Sequence, residues 1–263
     1  MAGDEILVGQ LDPASDRAVF RQIADHLRDA IERGRLRPGE KLPSEAKLMG
    51  HYGVARMTVR NAIKELQAEG LVVSEHGRGV FVRPRPPVKR LASDRFARRH
   101  RKEGKAAFIA ESEAAGAIPT VDMIQVTEAP APAEIAERLK VAPGEIVVVR
   151  SRRYSLNGRP VETATSYIPA ELARGTRIMD ANPGPGGIYA RLEEQGHTLE
   201  RFVEDVFTRM PTREEARLLL LGPGIPVFRL IRTAFDVNGR AVEVCDTIMS
   251  GDAYQLSYEL PAH

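Results

Sequence analysis

The sequence predicts an α+β fold in two parts, with three short helices and a β-hairpin first and a mainly antiparallel sheet with helices second. Three patterns indicate this fold. Apolar residues recur with a helical period as far as Gly34, two β-prone runs follow Gly70, and the hexapeptide that begins at Asn157 returns at Asn238. A chain of 263 residues is long enough for one or two domains of roughly 100–200 residues each.

The first third of the chain is predicted to contain three helices. The first begins near Ala18 and stops before Gly34, because glycine readily ends a helix. The second follows Pro43 and ends near 50–53, and the third covers about 56–69. Two β-prone runs, 71–74 and 80–83, enclose a glycine-containing turn and predict a hairpin directly after the third helix.

The third helix carries a basic ridge. Arg56, Arg60 and Lys64 are spaced i, i+4, and they lie away from the apolar face of Val59 and Ile63. By itself this pattern fits an ordinary amphipathic helix with a basic surface. Arginines on such a ridge could also reach base edges in a DNA major groove.

The hairpin decides between these readings. Its tip carries Arg78 between Gly77 and Gly79, and glycines keep a tip slim enough to approach a DNA backbone or a minor groove. A short helix, a basic helix and a basic hairpin in this order predict a winged helix-turn-helix that binds double-stranded DNA.

A proline-rich stretch follows the hairpin. Pro84, Pro86 and Pro87 predict a stiff, extended connector, because proline fixes φ and removes an amide donor. The basic cluster 98–102 beyond it is either a solvated face at the domain junction or a surface that steers the DNA backbone.

The C-terminal part contains an internal duplication. Each copy reads helix (132–141 and 211–221), Pro-Gly turn, strand, Asn-Gly type I′ hairpin and strand, and a further helix over 188–195 lies between the copies. Two such copies predict an antiparallel sheet with helices on one face.

Charge and composition exclude several protein classes. Residues 21–105 hold 21 Lys and Arg against 10 Asp and Glu, a net of +11, whereas the remainder has a net of −9. This asymmetry is typical of a chain in which one part meets a polyanion. The single cysteine, Cys245, excludes an internal disulfide and fits the cytoplasm, and we find no signal peptide, membrane span or metal-ligand spacing.

Four sequence motifs carry a family resemblance. The resemblance is to the DNA-binding domain of GntR-family bacterial transcription regulators, and it is carried by Leu42-Pro43-Ser44-Glu45, the segment 52–60, Glu69-Gly70-Leu71 and the segment 77–82. The remainder, including 165–169, resembles the effector domain of the HutC subfamily, which has a chorismate-lyase-like fold. The resemblance covers about 19–260 and implies a DNA-binding domain over 17–84, a linker over 85–93 and an effector-binding and dimerisation domain over 94–263.

The resemblance also implies a homodimer on a pseudo-palindromic operator, modulated by a small molecule of unknown identity. Arg56 would read a base, Thr58 and Arg60 would hold phosphates, and the wing glycines would enter the minor groove. Where relatives often carry an arginine directly after Pro-Ser-Glu, this chain has Ala46 followed by Lys47, which suggests a different operator. The candidate DNA-binding residues are Ser44, Glu45, Lys47, Arg56, Thr58, Arg60, Asn61, His76, Gly77, Arg78 and Gly79.

Alternating arginines mark a candidate effector site. Arg150 and Arg152 lie two apart on a predicted strand and therefore share a face, where they could bind a carboxylate or phosphate. Glu162 and Glu243 match in the duplication and could accept from hydroxyl or amine groups. Alternatively, the arginines pair with these glutamates or face solvent, and the tyrosines are plain core. The candidate effector-binding residues are Arg150, Arg152, Glu162, Tyr167, Tyr189 and Glu243.

The predicted function is a DNA-binding transcription regulator, a repressor, whose operator binding responds to an effector. The alternative is a constitutive DNA-binding dimer with a structural C-terminal domain. An enzyme is not expected, because the chain has no Gly-x-Ser-x-Gly motif and no nucleophile beside a base. No cofactor is expected either.

Overall fold

The computed structural model describes residues 9–75, 77–84, 88–91, 107–114 and 116–259. The chain divides into two compact units, Met1–Arg85 with Gly222–Ile225, and Pro86–Leu221 with Pro226–His263. Within the described ranges, every helix falls short of the length and apolarity that crossing a bilayer requires. His76 and the basic cluster 98–102 lie outside the described residues.

The N-terminal unit contains the three predicted helices. They are α1 (Val19–Glu32), α2 (Glu45–Tyr52) and α3 (Arg56–Ala68). Their apolar faces meet in one core, because the spacing of the large residues places them on the inner side of each helix. The buried members of this core include Ile23, Leu27, Leu48, Val59, Ala62 and Leu66.

Local chemistry fixes the turn between α2 and α3. The Ser44 hydroxyl accepts a hydrogen bond from the Lys47 amide at 3.2 Å, which caps the start of α2. Gly53 ends α2 with φ +62°, a left-handed conformation that glycine adopts without a Cβ penalty. This short turn sets α3 across α2 and leaves the outer side of α3 exposed.

The predicted hairpin consists of β1 (Val72–Glu75) and β2 (Gly79–Val82), paired antiparallel. A third segment joins it, because Lys41 bridges to Phe81. Gly79 has φ +123°, and a Cβ built on it would lie 2.7 Å from Cε of Lys41. The backbone conformation therefore favours glycine at position 79, whereas the flexible Lys41 side chain could move aside for a Cβ.

The predicted linker 85–93 contains a short strand. This strand, β3 (Val88–Leu91), pairs in parallel with β10 (Tyr254–Ser257) near the C-terminus, with Arg90 opposite Leu256. Val88 is buried in an apolar cluster with Tyr254, so the segment has a packed side as well as backbone partners. The prolines predicted extended backbone, but the sequence did not predict that this backbone would join a sheet.

The C-terminal unit is built on a six-stranded sheet in the order β4-β5-β6-β9-β8-β7, in which every neighbouring pair is antiparallel. Two like halves meet where β6 lies beside β9, as the duplication predicts. The edge strands β4 and β7 were not predicted. The strands are β4 (Pro119–Pro130), β5 (Ile146–Leu156), β6 (Arg159–Pro169), β7 (Leu199–Arg209), β8 (Val227–Asp236) and β9 (Ala241–Ser250).

The two hairpins of the duplication differ in their turns. Asn157 and Gly158 both have positive φ, +50° and +78°, as a type I′ turn requires. In the second copy only Gly239 has positive φ, so the type I′ prediction is wrong there. The reason is Asp236, whose carboxylate accepts the amides of Asn238 and Arg240 and holds a longer loop.

Helices cover both faces of the sheet, which corrects the expectation that they lie on one. The helix α5 (Ala133–Leu139) packs on the face of Val147, Ile231 and Val244. The opposite face carries three of the described helices in two apolar clusters, whose members include no residue of the helix Arg213–Leu218. One cluster contains α6 (Ala170–Ala173) and α7 (Gly187–Glu194), and the other contains α4 (Ala107–Ala114) together with β3 and β10.

Candidate DNA interface and effector site

The outer side of α3 presents the basic ridge. The Arg56 and Arg60 side chains are more than half exposed, and Lys64 is also exposed. Both arginines share one carboxylate on α2. Glu45 Oε1 accepts from Arg60 Nε at 2.9 Å, and its Oε2 lies 3.6 Å from Arg56 Nε. Glu45 therefore forms ion pairs with both arginines of the ridge.

The remaining α2–α3 candidates surround this ridge. Asn61 is exposed and Thr58 is half-buried in the first turns of α3. Ser44 is exposed, but its hydroxyl is occupied as the cap of α2, and Lys47 is half-buried one turn further along. All seven predicted residues of this region lie at the start of α2 and α3, which the ion pairs of Glu45 connect (Ser44, Glu45, Lys47, Arg56, Thr58, Arg60 and Asn61).

The wing tip is exposed and cationic. Arg78 pairs with Glu75 across the turn, and its guanidinium lies 5.3 Å from the centre of the Phe81 ring. Gly77 has φ +72°, and nothing lies within 4 Å of a Cβ placed there. The tip is therefore slim on one side and carries a positive charge on the other, which suits a narrow, negative minor groove.

A polar cluster lies between the two apolar clusters of the sheet. On β5, Arg152 lies between Val148 of one apolar cluster and Leu156 of the other. On β8, Arg232 separates Ala234 from Leu230 in the same way. We define the central polar cluster as Arg152, Ser166, Tyr189, Arg232 and Glu243.

Hydrogen bonds connect the central polar cluster across four strands and α7. Arg152 Nη1 donates to Ser166 Oγ at 2.9 Å, and Ser166 Oγ donates to Glu243 Oε1 at 2.6 Å. The Tyr189 hydroxyl donates to the other oxygen of Glu243 and accepts from Arg232 Nε at 2.9 Å. Arg232 Nη2 lies 3.4 Å from Glu243 Oε2. A fully buried carboxylate is thereby neutralised by hydroxyl and guanidinium donors.

Burial keeps the Tyr189 phenol of this cluster protonated. It raises the pKa of the Tyr189 phenol well above its usual range, and the neighbouring Glu243 carboxylate raises it further against the opposing effect of Arg232. Tyr189 therefore remains a hydrogen-bond donor at neutral pH. Two guanidinium groups against one carboxylate give the cluster a formal charge of +1, which favours an anionic group nearby.

Two predicted effector residues lie elsewhere. The Arg150 guanidinium is buried and donates to three main-chain carbonyls, those of Ile178, Asp180 (2.6 Å) and Ala181 (3.2 Å). It shares the face of Arg152, as predicted, but it holds the loop around the 3₁₀ turn Arg177–Met179. Burial, and next the charge of Arg152, lower its pKa.

Tyr167 packs on the opposite face of the sheet, beside α5. It follows Ser166 directly, and successive residues of a strand point to opposite faces. Tyr167 and Tyr189, both candidate effector-binding residues, therefore lie on opposite faces of the sheet.

Glu162 is almost fully buried on the face of Arg152. It pairs with Tyr154 on one side and Met249 on the other. Its Oε2 has no hydrogen-bond partner among the described residues. A buried carboxylate oxygen of this kind could accept from a hydroxyl or amine of a bound molecule.

Sequence reasoning missed Ser166, Arg232 and Cys245, the last of which lies 3.8 Å from Arg152 Nη2. Arg232 could have been found, because an arginine inside the apolar run 227–235 is a buried cation that needs a partner. Ser166 gave no signal, since its role depends on the register that places it opposite Arg150 and Cys245. No group of His, Cys, Asp and Glu that could hold a metal ion exists among the described residues.

Comparisons with known proteins agree with this architecture. Residues 20–82 match the family of bacterial regulatory proteins named gntR, and residues 114–255 match the UTRA domain. The chain is 35% identical to an uncharacterised HTH-type transcriptional regulator of Streptomyces coelicolor, over 91% of both sequences. It is 28% identical to the HTH-type transcriptional repressor NagR of Bacillus subtilis, over 90% of this chain and 92% of that one.

Solved structures show the same arrangement. A GntR-family transcriptional regulator aligns with a TM-score of 0.64 at 31% identity, covering 94% of this chain and 99% of that one. PhnF of Mycobacterium smegmatis aligns with a TM-score of 0.58 at 25% identity, covering 94% and 100%. The chain therefore belongs to the GntR family of bacterial transcription regulators, in which a DNA-binding helix-turn-helix domain is joined to an effector-binding UTRA domain.

Proposed function

We propose that this protein is a repressor of the HutC subfamily that acts in the cytoplasm, binds a pseudo-palindromic operator as a homodimer and responds to a small-molecule effector. One observation carries the DNA-binding half, the exposed row of Arg56, Arg60 and Lys64 on α3 beside a cationic wing. A helix of this kind fits a major groove, and a two-fold operator matches two such helices in a dimer.

The DNA contacts divide by reach and chemistry. Arg56, at the first position of α3, is assigned to a base edge, because arginine can bond guanine O6 and N7 together. Arg60, Thr58, Asn61 and Lys47 are assigned to phosphates. The minor groove is assigned to Gly77, Arg78 and Gly79. For His76, in the same turn, a DNA contact is predicted from the sequence alone.

The effector site is assigned to the central polar cluster together with Glu162. Arg152 supplies the positive charge for a carboxylate or phosphate, and Glu162 accepts from a hydroxyl or amine through its free oxygen. Tyr189 and Glu243 belong to the same hydrogen-bond network as Arg152. Arg150 supports this site by holding the adjacent loop, and Tyr167 is left out because it faces the other side.

Fluorescence polarisation tests the DNA-binding half. Genomic fragments selected by the purified protein are labelled and titrated at several salt concentrations. We expect affinity to fall steeply with salt, because phosphate neutralisation releases counterions. Arg56→Ala should weaken binding to the selected site by about 5- to 150-fold, the value of one base contact.

The matched control is Arg33→Ala, which removes an exposed arginine at the end of α1 that pairs with Asp29. It should leave affinity within about twofold, because it lies away from the ridge. Binding that ignores salt, or an equal loss in both variants, would contradict the assigned interface.

A second candidate is a constitutive DNA-binding dimer with a structural C-terminal domain. The observation in its favour is that Arg152, Ser166, Tyr189, Arg232 and Glu243 already satisfy one another. A thermal-shift screen of metabolites separates the two functions. An effector raises the unfolding midpoint with its concentration by mass action, whereas a structural domain responds to none.

A further inference from the structure

The strand that follows the DNA-binding unit is anchored by a buried ion pair. Arg90 of β3 is 2% exposed, and its guanidinium bonds the carboxylate of Glu204 on β7, which is 10% exposed. β3 has four residues, and it is also held by its parallel pairing with β10, by the burial of Val88 and by the Val88 amide, which donates to the Ala253 carbonyl at 3.2 Å. Glu204 is thus a main side-chain anchor of this segment.

Glu204 also belongs to the surroundings of the central polar cluster. It lies directly opposite Arg232 in the β7–β8 ladder, on the same face of the sheet. Directly opposed residues have Cβ atoms about 4.5–5.5 Å apart, so the two side chains interact. Arg232 in turn reaches Glu243 at 3.4 Å. Charges of alternating sign therefore run from Glu243 on β9 through Arg232 on β8 and Glu204 on β7 to Arg90 on β3, which belongs to the separate two-stranded sheet.

We propose that this row of four charges is a regulatory relay, in which the state of Glu243 sets how firmly Glu204 holds Arg90 and hence β3. The relay rests on the proposed function, because it assumes that the effector binds at the central polar cluster. Arg232 divides its charge between Glu243 and Glu204. A ligand cation on Glu243 turns Arg232 toward Glu204 and loosens Arg90, whereas a ligand anion on Arg232 leaves Glu204 to Arg90 and tightens β3.

Hydrogen–deuterium exchange of the full-length protein, without DNA or ligand, tests the relay. Peptides covering 88–91 are compared with peptides from β6, which report the stability of the sheet as a whole. Glu204→Gln removes the anchor and should raise exchange in β3 about tenfold, and Glu243→Gln should raise it at least about threefold relative to β6.

Arg232→Gln gives the opposite sign. It leaves Glu204 entirely to Arg90 and should lower exchange in β3 by about threefold relative to β6, while Glu243 keeps the Ser166 and Tyr189 hydroxyls as donors. Glu243→Asp and Arg232→Lys keep the charges and should stay near the parent. The matched control is the exposed pair Glu171–Arg240 of the same unit, where Glu171→Gln and Arg240→Gln should leave β3 unchanged.

Opposite shifts in Glu243→Gln and Arg232→Gln support the relay, because general destabilisation would raise exchange in both. Equal increases in β3 and β6, or no change in β3 when Glu243 loses its charge, would overturn it. Such a result would not contradict the proposed DNA interface or effector site, because these are tested separately by fluorescence polarisation and by the thermal-shift screen.

Discussion

Replacing Glu45 by glutamine tests whether its ion pairs position Arg56 and Arg60 in the protein without DNA. Glu45 contacts Arg60 at 2.9 Å and Arg56 at 3.6 Å, so DNA must take both arginines from this carboxylate. All three side chains are a third or more exposed, and exposed ion pairs contribute about 0.2–1 kcal/mol each. Two pairs thus amount to about 1 kcal/mol, or roughly fivefold in affinity.

We therefore expect Glu45→Gln to bind a random duplex about fivefold more tightly, with a steeper salt dependence by about one ion. Affinity for a selected site should rise less, because Glu45 no longer aligns Arg56, so the ratio of specific to random affinity falls. Polarisation with the two duplexes between low and physiological salt measures both quantities.

The control is Glu65→Gln on α3, whose carboxylate faces Arg21 of α1 at 3.8 Å rather than the ridge. It should change neither affinity nor salt slope. If Glu45→Gln bound random DNA no better than the parent while keeping its fold, the competition between carboxylate and DNA for the arginines would be refuted.

Three further substitutions test the C-terminal unit. Arg150→Met should lower the free energy of unfolding, measured in urea, by about 2–4 kcal/mol, because three carbonyls lose a charged donor. A loss below about 0.5 kcal/mol would contradict the structural role of Arg150. Asp236→Asn should lower the free energy of unfolding by about 1–2 kcal/mol. The reason is that the carboxylate accepts the amides of Asn238 and Arg240 and bonds His197 Nδ1 at 2.9 Å. An unchanged unfolding midpoint would show that this loop needs no carboxylate. Glu215 has a pKa lowered to about 2, first by the Arg209 hydrogen bonds and further by the Thr212 amide, against the opposing effect of burial. Because the folded pKa is depressed, its stabilisation of about 1–3 kcal/mol is present above pH 4.5 and is lost as pH falls toward 2; Glu215→Gln should flatten that part of the acid-unfolding curve, and identical curves would contradict the assignment.

Local sequence signals were sufficient to predict the helices and the hairpin of the DNA-binding unit. Ser44, Gly53 and Gly79 each act within a few residues of chain, through a cap, a left-handed turn and a tight wing. Such signals are readable because the partner of each group is close in sequence. The exception is the ion pairing of Glu45 with Arg56 and Arg60, which depends on the angle between two helices.

The C-terminal unit was less predictable because its site depends on register. The duplication indicated which strands form hairpins, but the edge strand Pro119–Pro130 is exposed along most of its length and lacks a clear alternation of apolar and polar residues. Arg150 and Arg152 were correctly placed on one face, yet the carbonyls that bind Arg150 come from a turn some 30 residues later. Tyr167 was misplaced because the sequence alone did not fix which face of β6 meets Glu243.

Dependence on long-range pairing also explains why the strand in the connector was not predicted. Its prolines predicted an extended backbone, but the partner strand Tyr254–Ser257 lies about 165 residues away in the chain, and Glu204 lies 114 residues from Arg90. Long-range pairings of this kind leave no local pattern to read. The row of charges from Glu243 to Arg90 depends on the placement of β9, β8 and β7 in one sheet and of β3 in another.

One measurement tests the central claim most directly, that a cationic helix and wing read a specific duplex. It is the ratio of affinities for a fragment selected from genomic DNA and a scrambled duplex of equal length and composition, at physiological salt. The structure predicts a ratio of about 1,000 or more, as is typical of sequence-specific regulators. A ratio near one, in protein that is folded and binds with the expected salt dependence, would contradict the claim.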